Sequence, residues 1–541
     1  MEKRRLKLPI GIQTFETIRS EGYVYVDKTQ YIVNLIDTGK IYFLARPRRF
    51  GKSLTVSTLE SLFSGRKELF KGLYAEDFLN RPDFNPSPVI CLDLSKPATD
   101  CGMDVFRQTV VKQMKDLASQ LDVTLSDGIS PGSVLDELIV RTARRYQQKV
   151  VVLLDEYDAP YNEFVNDPDT ANTIRDILRN FYVQLKANDK YIRFTFITGI
   201  SKYARFGVFS TLNTPVDISL MPQYAEICGY TEEEILHYFP DYIEDTANHL
   251  QISPEELIDQ MRYYYNGFSF DSGAKARLYN PFSTLLFFAQ QEFYNYWIDS
   301  GRPKFIADYL KHRNLTVEQF RNYPISRDFA KSPGDGDTTS PEGFLYQCGY
   351  LTLRPGISDD LSLDYPNTEV LNSMSKLLSE NILTDNTYHS FRNELLRGLM
   401  SADGDQVVAV LNRLLASIPY DDFSAAARSS IAENNYGIKP QEWLYRSTIL
   451  AFLRGCGVVV IAEMHTNLGR ADLVVSHKGK TWVIELKVAY DGESPDEKAK
   501  EALKQIIDKN YAKPYPGAVC LALAIDDSLR QIANHEVHSS A

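Results

Sequence analysis

The chain has 541 residues, 44% hydrophobic and 24% charged, an ordinary balance for a soluble globular protein and enough apolar material for three or four domains. The net charge of −12 argues against a surface coated in nucleic acid, but a local basic groove is still allowed, because steering depends on where charges sit. The longest apolar runs, such as residues 150–154 and 458–462, are strand-length, so no segment is expected to span a bilayer.

In chain order, residues 41–45 read as a buried strand and 52–63 as a helix. Residues 89–94 are the next strand, and 104–120 and 133–148 carry apolar residues at helical spacing. The continuous run 150–154 fits a parallel strand covered on both faces, followed by a helix over 171–186 and a strand over 193–198. This alternation predicts an α/β fold with helices on both sides of a parallel sheet, placed at 1–225. From 226 to 415 the pattern is mainly helical and rich in tyrosine and phenylalanine. The run Lys331-Ser332-Pro333-Gly334-Asp335-Gly336-Asp337 reads as a loop. Tyr263-Tyr264-Tyr265 is read as aromatic core with hydroxyls reaching the surface, in preference to a base-stacking platform. From 416 to 541 a compact order returns: a helix at 440–453, three strands, a second helix and a strand at 518–525.

The six cysteines are scattered without a CxxC pair, which suggests neither a zinc ribbon nor a disulfide framework and fits a reducing cytoplasm. The basic start, Met1 to Arg5, lacks a following apolar stretch, so no signal peptide is expected. The eight histidines show no metal spacing, and His535 with His538 reads as a loose tail.

Between the first strand and the first helix lies Arg46-Pro47-Arg48-Arg49-Phe50-Gly51-Lys52-Ser53, which ends as a P-loop does. Gly51 lets the backbone approach phosphate oxygens, Lys52 supplies a cation for the β- and γ-phosphates, and Ser53 offers a hydroxyl to Mg²⁺. The usual first glycine is replaced by Arg46, which Pro47 restricts to extended backbone. Arg46, Arg48 and Arg49 have two open readings: a built-in source of positive charge for phosphates, or a face for an acidic partner. Downstream, the apolar run 150–154 ends in Asp155-Glu156, an acidic pair of the Walker B kind. Asp155 would hold Mg²⁺ through water and Glu156 would polarise the attacking water. Thr198, with Ser201 just beyond, occupies the place of a γ-phosphate sensor, and Arg205 is a weaker finger candidate. The bland alternative for Asp155-Glu156 is an acidic first turn of a helix.

Near the other end, Asp472 opens the run Asp472-Leu473-Val474-Val475, a polar turn follows, and the partner strand reads Thr481 to Lys487. A hairpin centred between Lys478 and Gly479 puts Asp472 across from Glu485, and period-two alternation puts Lys487 on the face of Glu485. Two carboxylates there suit Mg²⁺ or Mn²⁺, and the lysine suits a hydrolytic water. A lone D…ExK is otherwise an ordinary cross-strand ion pair. The context favours chemistry: Glu442 in the preceding helix is a further candidate metal ligand, and Ser494-Pro495-Asp496-Glu497 opens a helix that carries Gln505. The order αβββαβ is the core of the PD-(D/E)XK, restriction-endonuclease-like fold.

Both ends resemble known families. Ile10-Gly11-Ile12-Gln13-Thr14-Phe15, Tyr25-Val26-Asp27-Lys28-Thr29 and the arginine-bearing P-loop resemble the AAA-ATPase-like proteins, found chiefly in bacteria. So do Asp155-Glu156-Tyr157-Asp158, Thr198-Gly199-Ile200-Ser201, Tyr265-Asn266-Gly267-Phe268 and Tyr279-Asn280-Pro281-Phe282. Glu442, Gly469-Arg470-Ala471-Asp472, Glu485-Leu486-Lys487 and Gln505-Ile506 resemble the PD-(D/E)XK nuclease domain often fused to them. The resemblance implies that the P-loop arginines are a family trait. The leading expectation is an ATP-controlled, metal-dependent nuclease acting on DNA in preference to RNA, with ATP and Mg²⁺ or Mn²⁺ as cofactors. Its location is expected to be cytoplasmic, without membrane contact, with self-association open. The alternatives are a nucleotide-switched regulator that binds nucleic acid or protein without cleaving, and an ATPase whose C-terminal fold is purely structural.

Overall fold

The computed structural model describes residues 5–95, 103–127, 130–163, 167–200, 215–299, 317–326, 329, 341–356, 360–382, 385–417, 440–466 and 469–539. The loop expected at 331–337, and Ser201 and Arg205, lie outside them. The chain divides into two compact units, Met1–Phe305 with Phe320–Val370, and Ile306–Gln319 with Leu371–Ala541. Part of the middle region falls in the first unit, where Phe268 and Phe270 pack on Phe50 of the P-loop.

The first unit is built on five strands, β1 (Ile41–Ala45), β2 (Val89–Asp93), β3 (Val150–Asp155), β4 (Ile192–Gly199) and β5 (Val216–Asp217), in the order β2-β3-β4-β1-β5. All the pairings are parallel. Parallel strands need crossovers, and these are supplied by helices including α1 (Lys52–Phe63), α2 (Met103–Gln120), α3 (Pro131–Tyr146) and α4 (Pro168–Ala187). Every residue of β3 is buried, which is why its sequence is a continuous apolar run rather than an alternating one. Fully burying each of these valines and leucines is worth roughly 1.5–3 kcal/mol. The two-residue β5 is too short for periodicity to reveal.

The rest of this unit holds α5 (Glu232–Tyr238), α6 (Pro240–Leu250), α7 (Pro254–Tyr265) and α8 (Pro281–Gln290). Thr231 and Glu234 form a reciprocal capping box at α5, and the Asn280 side chain caps α8 by accepting from the amides of Phe282 and Ser283. The expected mainly helical middle also contains a small antiparallel sheet, β6 (Tyr323–Ile325), β7 (Thr352–Pro355) and β8 (Leu361–Asp364), in the order β6-β8-β7. Its strands have three or four residues, too few for alternation to stand out.

The second unit contains α9 (Asp385–Ser401), α10 (Gly404–Ala416) and α11 (Pro440–Gly455). Its sheet is formed by β9 (Val459–Thr466), β10 (Gly469–His477), β11 (Lys480–Ala489), β12 (Val519–Asp526) and β13 (Gln531–Ser539), in the order β13-β12-β11-β10-β9. Helix α12 (Pro495–Asp508) makes the right-sized crossover between the parallel pair β11 and β12. The expected αβββαβ order is present. The loose tail expected at His535 and His538 is instead β13, an antiparallel edge strand along the length of β12. It is mostly polar and half-exposed, so it carries little apolar alternation.

Candidate functional site

The P-loop leaves β1 at Ala45 and enters α1 at Lys52. Arg49 (φ 67°) and Gly51 (φ 100°) both have left-handed backbone, which turns the chain tightly ahead of the helix. A Cβ placed on Gly51 would meet nothing within 4 Å, so it is the left-handed backbone and not crowding that favours glycine there. Lys52 is 4% exposed and its Nζ donates to the carbonyls of Arg46 (3.1 Å) and Pro47 (3.2 Å). The ammonium is thus held inside the loop at the start of the α1 dipole, as phosphate binding requires. Ser53 follows as the second residue of α1.

Strand β4 lies between β1 and β3, so its carboxyl end separates the P-loop from Asp155. Thr198 at that end donates its hydroxyl to Asp155 Oδ1, and the Glu156 amide donates to the same oxygen at 3.1 Å. Glu156 itself has left-handed backbone (φ 50°), a conformation disfavoured for a side chain of its size. Its carboxyl is pushed above the usual range chiefly by burial, with Asp155 and Asp158 adding to the shift and Lys52 and Arg48 opposing it. Lys52, Asp155, Glu156 and Thr198 are therefore brought together, and Arg48 is near enough to act on Glu156. Asp158 is buried, and both its carboxylate oxygens accept from the Ile200 amide at 3.2 Å, which pins the chain just after Thr198.

The three arginines separate. Arg46 is 1% exposed, and its guanidinium donates to the carbonyls of Ala45, Ser219, Tyr224 and Ala225 while lying 4.4 Å from the Phe270 ring centroid. Neither a phosphate nor a partner-facing role fits it. Replacing the loop's first glycine has instead given an arginine that staples the loop to the segment after β5. Arg48 and Arg49 are exposed, and Arg49 lies 5.0 Å over the ring of Phe282. Phe50 is buried against Phe268 and Phe270 at 4.8 and 5.1 Å. The indole Nε1 of Trp297 donates to the Arg48 carbonyl at 3.4 Å, and Glu369 Oε1 accepts from the Trp297 amide at 2.8 Å. Local periodicity gives no sign of Trp297, which comes from the middle region to the P-loop.

The second site lies on the β10–β11 hairpin. Leu473 pairs with Ile484 and His477 with Lys480, the register that puts Asp472 opposite Glu485. The Asp472 amide donates to Glu485 Oε2 at 3.3 Å, and Asp472 Oδ2 accepts from the Leu486 amide at 2.8 Å. Lys487 Nζ is 3.4 Å from Glu485 Oε1, the oxygen that also accepts from Gln505 Nε2 on α12. The Tyr511 hydroxyl is a second acceptor for that amide, at 3.4 Å. Leu486, between the two, points to the opposite core, as alternation requires. Glu485 is 1% exposed, and its carboxyl is pushed well up, first by burial and then by the charge of Asp472, while Lys487 opposes the shift.

Glu442 does not join this pair. Among the described residues no group of three or more His, Cys, Asp or Glu side chains gathers, and the Glu442 carboxylate adds to the burial that pushes the Tyr490 hydroxyl up. The residue of α11 that reaches the site is Arg446, whose Nη1 is 3.8 Å from Asp472 Oδ1. It follows Glu442 by four residues and so shares that helix face, but no local signal singles it out as the residue that meets Asp472.

These two sites and their sheets define a protein that joins a P-loop NTPase-like α/β domain to a restriction-endonuclease-like domain. Family models agree: a predicted AAA-ATPase matches residues 9–209, and the PD-(D/E)XK nuclease superfamily matches 440–528. An Azotobacter chroococcum mcd 1 protein, described as an uncharacterized protein in vnfD 5′ region, is 33% identical over 528 residues, 94% of each chain. The chain belongs to the AAA-ATPase-like family with a C-terminal PD-(D/E)XK nuclease superfamily domain. Among solved structures, the Aeropyrum pernix ORC1 protein in complex with DNA aligns with 67% of this chain and 96% of its own, at 12% identity and a TM-score of 0.25. Among the described residues no helix is long and apolar enough to cross a membrane.

Proposed function

We propose that the N-terminal domain binds and hydrolyses ATP and that the C-terminal domain cleaves phosphodiester bonds of DNA in a divalent-metal-dependent reaction. The observation that carries the nuclease reading is the Asp472–Glu485 cross-strand pair with Lys487 on the same face. Two adjacent carboxylates supply the hard oxygen donors that Mg²⁺ or Mn²⁺ takes, so the residues fit such an ion. When bound, it offsets phosphodiester charge and lowers the pKa of a coordinated water. Lys487 would orient or deprotonate the attacking water, and Gln505 holds Glu485 in place. In the other domain Lys52 and Ser53 would hold the phosphates and Mg²⁺ with Asp155, Glu156 would polarise the water, and Thr198 and Arg48 would meet the γ-phosphate.

The test compares wild type with Asp472→Ala on single- and double-stranded DNA and RNA, with Mg²⁺ or Mn²⁺, with and without ATP. Cleavage of DNA by wild type alone, abolished by chelation, is the expected result. Equal cleavage by both proteins points to a contaminant. No cleavage by wild type under any condition favours a nucleotide-switched binding protein.

A further inference from the structure

We infer that the first unit holds a second ligand site, at the end of its sheet opposite the P-loop, that takes a small aromatic carboxylate: the carboxylate on Arg193, the ring among Phe63, Phe78, Phe84 and Phe194. This site is independent of the nucleotide and nuclease readings.

A cavity of about 190 Å³ opens there. Phe63 ends α1, Phe194 stands near the start of β4, and Phe78 and Phe84 come from the chain between α1 and β2. The rings pack in pairs, Phe63 with Phe194 at 5.2 Å and Phe78 with Phe84 at 5.3 Å between centroids. The Ser87 amide donates to the Phe63 carbonyl at 2.8 Å, which ties the segment after Phe84 to the end of α1. An apolar cavity of about 150 Å³ holds benzene, so this one has room for a single ring with one small substituent.

Arg193 decides what that substituent is. Its guanidinium lies 5.3 Å from the Phe63 ring centroid and 5.9 Å from that of Phe84. Nη1 donates to the Asn85 carbonyl at 2.6 Å and to Ser87 Oγ at 2.8 Å, which fixes the plane of the fork. Nε and Nη2, the other edge of the fork, meet no protein acceptor among the described residues, and no described carboxylate is within ion-pair reach. Burial alone lowers the guanidinium from its ordinary value. Taking such a cation out of water is costly unless opposite charge offsets it. The other charged groups of the cavity do not supply that charge: both oxygens of Asp37 accept from Arg81 Nη1 at 3.0 Å, and Asp83 is exposed. The last carbonyls of α1 add only a partial negative charge. A carboxylate matches the open edge with two parallel hydrogen bonds. Asp37 and Asp83 would repel the second charge of a phosphate, so a monoanion fits better.

The place is distinct from the P-loop. The cavity touches the amino ends of β1 and β4 and the last residue of α1, whereas the P-loop joins the carboxyl end of β1 to the first residue of α1. The 12 residues of that helix, roughly 18 Å, separate the two.

The experiment titrates the full chain with para-fluorobenzoate and reads binding by fluorine NMR. Wild type should bind it with a Kd of roughly 1 mM or tighter, a modest efficiency for so few atoms. The uncharged para-fluorobenzyl alcohol should bind at least about 10-fold more weakly, because the charged hydrogen bonds are lost. Arg193→Met should weaken the carboxylate by roughly 10- to 100-fold and Arg193→Lys by less. Lys52→Ala, at the P-loop, should bind it as wild type does. Thermal melting checks the fold of each variant, and the comparison of the two probes on wild type needs no variant. Equal binding of acid and alcohol overturns the inference, as does displacement of the acid by an equal concentration of inorganic phosphate. So does a folded Arg193→Met protein with wild-type affinity. Loss of binding in a folded Lys52→Ala protein would put the carboxylate at the P-loop instead. No binding by wild type leaves the cavity a packing gap and ends the inference.

Discussion

Asp472 and Glu485 are tied to each other through the main chain as well as by proximity. The amide of Asp472 donates to the Glu485 carboxylate, and the Asp472 carboxylate accepts from the amide next to Glu485. Each carboxylate is thereby oriented by the strand that carries the other. A hairpin that slipped by one residue would put the two on opposite faces of the sheet. The site's geometry is a property of the register, and the register is held by the apolar pairs Leu473–Ile484 and Val475–Trp482.

Gln505 is the outer support of this arrangement, because its amide is bonded to the Glu485 oxygen that Lys487 also meets. Gln505→Ala should lower divalent-metal affinity by roughly 10- to 100-fold, as loss of an outer partner commonly does. Gln505→Glu should lose less, because the carboxylate that replaces the amide adds negative charge for the cation. Calorimetry with Mn²⁺ measures both, and equal affinities for wild type and Gln505→Ala would remove Gln505 from the site.

At the other domain, Lys52→Ala should abolish ATP binding, because the ammonium is buried inside the loop with its donors aimed at the turn. Glu156→Gln should retain binding and lose hydrolysis, since it keeps the shape and removes the base. Unchanged ATP affinity in a folded Lys52→Ala protein, measured by calorimetry, would refute the phosphate assignment.

The loop arginines should now behave differently from one another. Arg46→Ala removes a buried guanidinium bonded to four carbonyls and should cost roughly 3 kcal/mol or more, since single bonds to a charged donor are worth about 1.5–3 kcal/mol. Arg48→Ala, at an exposed position, should change stability by less than about 0.5 kcal/mol yet weaken ATP binding or slow turnover. Urea unfolding paired with calorimetry separates the two. Similar stability losses would put both arginines in the scaffold.

The parts of this molecule that could be read from sequence are those fixed by local spacing. Counting residues about the turn at Lys478-Gly479 was enough to oppose Asp472 and Glu485, and the buried run 150–154 announced β3 because a strand covered on both faces has no polar side. What spacing does not encode is contact between segments far apart in sequence. Arg46 reads as a charge for phosphates or for an acidic partner because its four carbonyl partners include Ser219, Tyr224 and Ala225, more than 170 residues away. Glu442 looked like the ligand of its helix because carboxylates bind metals. The helix in fact presents Arg446 to Asp472, and only the packing of α11 on the sheet decides that. β13 was missed because an edge strand with a polar outer side needs no apolar alternation.

The middle region supplies the last prediction, that it acts as a brace on the P-loop. Gly349 has φ +86°, and a Cβ there would come within 2.6 Å of the Pro47 side chain. The loop after Cys348 therefore lies against the P-loop as closely as a backbone without a side chain allows. Trp297 packs between these parts, its ring 5.0 Å from Tyr350 and its Nε1 bonded to the Arg48 carbonyl. Trp297→Phe keeps most of the ring packing and deletes one hydrogen bond worth about 1 kcal/mol, so ATP affinity should fall by roughly 5-fold with little loss of stability. Gly349→Ala should be more severe, because it adds backbone strain to a steric clash with Pro47, and any relief must shift the loop that carries Arg48. The pair is measured by nucleotide calorimetry beside thermal melting. If both variants lose stability while the remaining folded protein binds ATP as wild type does, the middle region is packing alone. If both keep their fold and lose affinity in the order Gly349→Ala beyond Trp297→Phe, the brace positions the phosphate loop.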